Sequence, residues 1–214
     1  ATSSMILYPE ECGLEMHPLL GWKAANLAEM DRLAGEATVP PWYVLTNTAF
    51  LRVLAQPLSP HPVVKEYLGG VPHSLDSAIE AVLGLPFIDH GCQADLIRKL
   101  WSAVTIPQDL VDEITLAHTR LQGDAREEIF VALRSSSCDE DSESAMQAGV
   151  YDTFLFVRGV PSVLEHVRLT WSGLWTERAL YVRESAGDIS KRPAGGLVVQ
   201  RMVRSRVSGV LQTV

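Results

Sequence analysis

Cysteine is scarce in this chain: three residues in 214, at Cys12, Cys92 and Cys138. An odd count at such wide spacing argues against a disulfide frame and suits a reducing cytosol. No Cys/His pair stands at zinc-ligand spacing, which removes a structural zinc site. Basic residues are outnumbered, 18 Lys and Arg against 26 Asp and Glu, for a net charge of −8. That balance argues against a surface built to coat nucleic acid. No apolar run approaches the roughly 20 residues that span a bilayer. The small, polar start at residues 1–5 lacks the charged-then-apolar layout of a secretory signal. Neither Gly-x-x-x-x-Gly-Lys-Ser/Thr nor Gly-x-Gly-x-x-Gly occurs, so no P-loop or Rossmann site is available.

What is present is an ordinary globular composition, 47% hydrophobic and 21% charged, enough for one large domain or two small lobes. Leu27, Met30 and Leu33 recur at helical spacing, and Gly35 suits a helix stop. The double proline Pro40-Pro41 forbids helix and predicts an extended entry into a buried strand over residues 42–46. Asn47 is placed to cap the next helix, which buries Phe50, Leu51 and Leu54. Residues 56–74, rich in Pro, Gly and His, read as a surface connection, with His73 in a helix-entry loop. Helices are expected near 74–83, 93–104 and 108–121, the last with Pro107 in its first turn. Strands are expected at 129–133, 151–157, 197–203 and 207–213, and one long helix at 161–184. There is no internal repeat. The mixture without strict alternation favours α+β as much as a doubly wound sheet. The last apolar run reaches Val214 with no turn or polar tail, which predicts that the fold continues beyond it.

Three places could carry chemistry. Arg134 ends an apolar strand and opens Ser135-Ser136-Ser137-Cys138-Asp139-Glu140-Asp141. A guanidinium there offers a planar fork that matches phosphate oxygens, and the small hydroxyl residues would add donors. Ala148-Gly149 then supplies backbone N–H groups able to face an anion. The other reading is an arginine paired with its own acidic loop. Lys23 follows Gly21 at a helix start, where the helix dipole disfavours a cation. Phosphate contact is one reason for its presence and simple exposure the other. Gln200-Arg201-Met202-Val203 ends a strand that could offer peptide groups and apolar walls to an adenine, or could be plain core. The cluster Lys191, Arg192, Arg201, Arg204 and Arg206 could face phosphates or form a solvated hairpin.

Taken together and in order, these segments resemble the N-terminal nucleotide-binding domain of the phosphoenolpyruvate synthase and pyruvate phosphate dikinase family. The residues that carry the likeness are Gly21-Trp22-Lys23-Ala24-Ala25-Asn26-Leu27-Ala28-Glu29-Met30 and Val39-Pro40-Pro41-Trp42-Tyr43-Val44-Leu45-Thr46. They continue with Val131-Ala132-Leu133-Arg134-Ser135-Ser136-Ser137 with Glu140-Asp141, and Ala148-Gly149-Val150-Tyr151-Asp152-Thr153-Phe154-Leu155. The last are Trp171-Ser172-Gly173-Leu174-Trp175-Thr176-Glu177-Arg178-Ala179, Leu197-Val198-Val199-Gln200-Arg201-Met202-Val203 and Ser208-Gly209-Val210-Leu211-Gln212-Thr213. Trp22 departs from the family by replacing the second glycine before the lysine. Gln147, Val150 and Gln212 depart in the later motifs.

The resemblance implies an α+β, ATP-grasp-like fold: a first lobe over residues 1–196, then a hinge and the start of a second lobe over 197–214. It implies ATP and Mg²⁺ as ligands. Lys23 and Arg134 would bind phosphates, Gly149 and Thr153 would belong to the loop over them, and Arg178 would stand on the phosphate side. Gln200, Met202 and Val203 would hold adenine. No residue of this stretch is expected to be catalytic or to ligate metal. A histidine-carrying domain and an acceptor domain of the same polypeptide would complete the turnover in the cytoplasm, with no nucleic acid or membrane partner. The leading expectation is a phosphoenolpyruvate synthase. The alternatives are the same ATP domain serving another acceptor, as in rifampicin-type antibiotic phosphotransferases, glucan-water dikinases or biosynthetic condensing enzymes, and a non-catalytic nucleotide-binding module.

Overall fold

The computed structural model describes residues 4–33, 39–58, 61–70, 74–136, 153–187, 189 and 191–209. The fold is α+β. Among the described residues five antiparallel strands form one sheet in the order β1-β2-β5-β3-β4: β1 is Ile6–Leu7, β2 Trp42–Leu45, β3 Phe130–Ser136, β4 Thr153–Arg158 and β5 Gly196–Arg201. The last described strand in sequence is thus the middle strand in space. Its run Leu197-Val198-Val199 is fully buried because both faces of the sheet are covered there. Residues 197–201 therefore belong to this sheet, and the chain leaves it only after Arg201.

One face carries α1 (His17–Leu20) and α2 (Trp22–Leu33), which close a small core over Leu7, Trp42, Val44 and Val198. The other carries the large core and the remaining helices: α3 (Asn47–Leu54), α4 (Pro62–Tyr67), α5 (Leu75–Leu83), α6 (His90–Ala103), α7 (Gln108–Gln122), α8 (Val160–Ser172) and α9 (Glu177–Ser185). The centre of that core is aromatic. Phe50 lies 5.6 Å from Trp171 and 6.0 Å from Trp175, centroid to centroid, and Trp101 lies 5.9 Å from Trp175. Such pairs add about 0.5–1.5 kcal/mol each beyond the area they bury. The Trp171 indole N–H also donates to the Gly195 carbonyl at 2.8 Å, which ties α8 to the entry of β5.

Several local expectations are corrected. Of the stripe Leu27, Met30, Leu33 on α2 only Leu27 is buried: Met30 is 59% and Leu33 73% exposed. The rest of the buried face is Ala24, Ala25 and Ala28, because small side chains let the helix lie close on the strands. The single helix over 161–184 is broken. A short 3₁₀ turn, Gly173–Trp175, intervenes, and the Thr176 hydroxyl accepts from Ala179 N–H to cap a new helix. Thr46, not Asn47, is the N-cap of α3. The Asn47 side chain instead accepts from Gly195 N–H at 3.1 Å. The connection over 56–74 contains α4, capped by His61, and Pro107 is the N-cap of α7 rather than a first-turn residue. Residues 207–209 are not in a strand, and 210–214 lie outside the described residues. So do His73 and the segment 137–152, with Gly149 in it.

Candidate nucleotide site

The sheet register decides which candidate residues share a face. On β3 and β5 the cross-strand pairs are Ala132 with Gln200, Arg134 with Val198 and Ser136 with Gly196. Directly paired residues point to the same side. Val198 packs under α2, so Ala132, Arg134 and Gln200 face the α2 side as well. On the outer edge Thr153 pairs directly with Arg134. Arg134 is half-buried and Thr153 exposed. Among the described residues no hydrogen bond or ion pair engages the Arg134 guanidinium. Its acidic neighbours Glu140 and Asp141 lie outside them.

Lys23 reaches the same place from α2. Its Nζ donates to the Ser135 carbonyl at 2.5 Å, across 112 positions of sequence. That contact gives the lysine a polar partner at a helix end whose dipole disfavours it. The close approach depends on two glycines. A Cβ on Gly21, which has φ +80°, would stand 1.8 Å from the Ser136 carbonyl oxygen. One on Gly196 would stand 2.1 Å from the Leu20 carbonyl oxygen and 2.6 Å from that of Ser136. Lys23, Arg134 and Thr153 are thereby gathered at one end of the sheet, by the strand ends and the first turn of α2. Trp22 does not project into this cluster unsupported: its indole stacks on His17, centroids 4.0 Å apart and planes 11° from parallel.

Ser135 and Ser136 are set into the fold rather than displayed at its surface. Both are buried, and the Ser136 hydroxyl accepts from Ala24 N–H at 2.9 Å. Gly196 was not among the residues expected at the site. The glycine pair ahead of the apolar run 197–199 was the sequence signal for it.

The segment Gln200–Val203 lies toward the other end of β5. Met202 lies four residue steps beyond Val198 along the chain, about 13 Å at strand rise. The Gln200 side-chain amide donates to the Pro40 carbonyl at 3.2 Å. Arg201 N–H donates to the Pro41 carbonyl at 2.9 Å, and Met202 N–H to the Phe130 carbonyl at 2.8 Å. Val203 is the first residue past the last rung, and it is exposed. Met202 and Val203 line a cavity of about 610 Å³ with Phe130, Phe156, Ile129 and Val39. Phe156, at φ +59° on β4, donates its N–H to the Met202 Sδ at 3.1 Å. The two phenylalanines meet edge to face with centroids 6.2 Å apart. Neither was singled out from sequence, where both looked like ordinary strand residues.

Arg178 stands apart from these groups. It is exposed in the first turn of α9, whose Leu180 packs into the large core on the opposite side of the sheet from α2. No group of His, Cys, Asp and Glu among the described residues is arranged to hold a metal ion, and no described helix is long and apolar enough to cross a membrane.

The fold and this arrangement define an α+β domain with two cations at one sheet end and, at the other, a cavity that mixes apolar side chains with Glu127, Glu128, Arg201 and Arg204. The chain belongs to the family described as pyruvate phosphate dikinase, AMP/ATP-binding domain, whose model matches residues 17–214. It is 36% identical to the phosphoenolpyruvate synthase of Aeropyrum pernix over 98% of this chain and 24% of that protein. It is 32% identical to the phosphoenolpyruvate synthase of Pyrococcus furiosus over 95% of this chain and 27% of that protein. It is also 34% identical to a rifampicin phosphotransferase of a Streptomyces species, over 91% of this chain and 20% of that protein. The chain thus spans about a quarter of the length of the phosphoenolpyruvate synthases it matches.

Proposed function

We propose that this chain is the ATP-binding part of a phosphoenolpyruvate synthase with an ATP-grasp-like fold. The reaction would convert ATP, pyruvate and water to AMP, phosphoenolpyruvate and phosphate, through a phosphohistidine on another domain. The carrying observation is the convergence of Lys23 on the β3 end beside Arg134, with Thr153 opposite. ATP would run from the strand ends, with its triphosphate at Lys23 and Arg134, toward the far end of β5, with its adenine at Val203. The separation of about 13 Å along the strand suits a nucleotide laid lengthwise.

The residues here would bind and orient rather than react. Charge-assisted donors neutralise the phosphate oxygens, and the sheet fixes the γ-phosphoryl group for in-line attack by a group from elsewhere. Gly149 would belong to the loop over the phosphates. Gln200, which the structure ties to Pro40, would support the adenine end through the strand. Met202 would do so through its thioether and the cavity wall, leaving peptide recognition to Val203. Arg178 would act only at the periphery of the phosphate side. Mg²⁺ would arrive with the phosphates, and acidic ligands for it would come from outside the described residues. We place the hinge after Arg201 and the second lobe beyond it, in a cytoplasmic enzyme, and expect this stretch by itself to complete no turnover.

Calorimetric titration with ATP and Mg²⁺ tests the site. Arg134→Ala removes a charge-assisted, potentially bidentate contact, worth about 1.5–3 kcal/mol, so affinity should fall about 10- to 100-fold. Equal binding by wild type and variant would remove Arg134 from the site. The similarity to a rifampicin phosphotransferase supports a second reading in which the same ATP domain serves an antibiotic acceptor. Assay of the complete polypeptide with pyruvate and with rifampicin separates the two.

A further inference from the structure

We propose that Ser136 is a positioning residue for the phosphate site, acting through Lys23 and touching no nucleotide. The inference rests on the ATP-binding reading above and deepens it.

A helix leaves its first N–H groups without intrahelical partners, and the residue before the helix normally caps them with its side chain at the second or third position. In α2 the residue before Trp22 is Gly21, which has no side chain. Nor is there room for one, because a Cβ there would overlap the Ser136 carbonyl oxygen at 1.8 Å. The cap is supplied from a distant strand instead. The Ser136 Oγ, on a residue with no exposed surface, accepts from the N–H of Ala24, the third residue of the helix, at 2.9 Å. Ala24 adjoins Lys23, and Ser136 adjoins Ser135, whose carbonyl accepts from the Lys23 Nζ. Two neighbouring residues of α2 are therefore bound to two neighbouring residues of β3, and Arg134 is next in line.

The surrounding contacts are backbone against backbone. Gly196 pairs with Ser136 from the other side and leaves no room for a Cβ between the Leu20 and Ser136 carbonyls. In this clamp the hydroxyl is the directional element. Without it the Ala24 N–H is buried and unsatisfied, and only the Lys23 side-chain bond and the apposed backbones remain to set how the first turn of α2 sits against the end of β3. Misplacing a positioned group by about 1 Å can cost up to two orders of magnitude in function. A purely structural role for Ser136 would lower stability and leave the affinity of the folded protein unchanged.

The test is a double-mutant cycle read by calorimetric titration with ATP and Mg²⁺, well below the unfolding temperature of every variant. Ser136→Ala should bind ATP roughly tenfold more weakly, and Lys23→Met should also bind more weakly. The double variant should bind no more weakly than Lys23→Met alone, because the serine works through the lysine. Ser136→Cys keeps a weak acceptor in nearly the same volume, should fall between wild type and Ser136→Ala, and serves alone where the alanine variant does not fold. Wild-type affinity in the folded serine variants overturns the proposal, and so does a full additional loss in the double variant. Failure of the wild type to bind ATP overturns the ATP reading itself. Weak binding by Lys23→Met beside normal binding by Ser136→Ala overturns only the role of Ser136.

Discussion

Replacing Gly196 by alanine adds one methyl group where three backbone segments meet. The new Cβ would lie 2.1 Å from the Leu20 carbonyl oxygen, 2.7 Å from its carbon and 2.6 Å from the Ser136 carbonyl oxygen. All three are backbone atoms, so no rotamer change relieves the overlap. Either β5 or the α1–α2 junction must shift by about 1 Å to reach ordinary contact. Overpacking of this kind costs about 1–3 kcal/mol, and the rigid neighbours place Gly196→Ala at the upper end, about 3 kcal/mol. For a domain of this size each kcal/mol lowers Tm by about 2–4 °C, so the expected fall is about 6–12 °C. Calorimetric unfolding measures it. ATP affinity should fall with it, because the displaced segment carries Lys23. Gly84→Ala is the control. Gly84 has φ −84° and ψ −3°, and the nearest atoms to its added Cβ are 3.6 Å away. Restricting the unfolded chain there should leave stability unchanged or raise it by about 0.4–1 kcal/mol. A Gly196→Ala protein melting within about 1 °C of wild type would refute the close approach on which the site's geometry rests.

Two further outcomes follow from the helical layer. His118 on α7 is buried, and among the described residues neither ring nitrogen has a partner. Burial pulls its pKa below the ordinary value, against a smaller opposing pull from Glu128. The folded state therefore binds fewer protons than the unfolded state, and this contribution is constant above the unfolded value near 6.5 and falls away as pH drops below it. His90, whose pKa is raised by hydrogen bonds to Gln93 and Glu184, contributes the opposite slope. Denaturant titrations of wild type and His118→Leu between roughly pH 7.5 and 5.5 isolate the first effect. The leucine variant should lose less stability on acidification, and parallel profiles would show that His118 is accessible to protons in the fold. Phe87 is fully exposed at φ +67°, a left-handed conformation that costs roughly 1–2 kcal/mol without side-chain packing to offset it. Asparagine tolerates that region, so Phe87→Asn should raise Tm by a few degrees, and a drop would mean the ring is packed.

The positions of most elements were legible because their causes are local. Pro40-Pro41 followed by the continuous apolar run Trp42–Leu45 announces β2, and the apolar recurrence in residues 108–121 announces α7. The misses share a cause, since each depended on a partner distant in sequence. α2 buries alanines rather than its largest residues because it must approach the strands to within a glycine's width. The helix expected over 161–184 breaks at Gly173–Trp175 so that Trp171, Trp175 and Leu180 all reach one aromatic core. Ser136 reads as a possible anion donor in sequence, whereas its hydroxyl is occupied by Ala24, a residue 112 positions earlier.

By itself the sequence determined the family resemblance, the mixed α and β character and the segments that bear Lys23, Arg134 and the run Gln200–Val203. Those follow from local pattern and from ordered motifs. Tertiary structure alone decided that Lys23 reaches the Ser135 carbonyl beside Arg134. The last strand inserts between β2 and β3, and its glycine end lets the Leu20–Gly21 turn rest on the Ser136 carbonyl. Strand order and the absence of a Cβ at two positions set that contact, and neither can be read from any one segment of the chain.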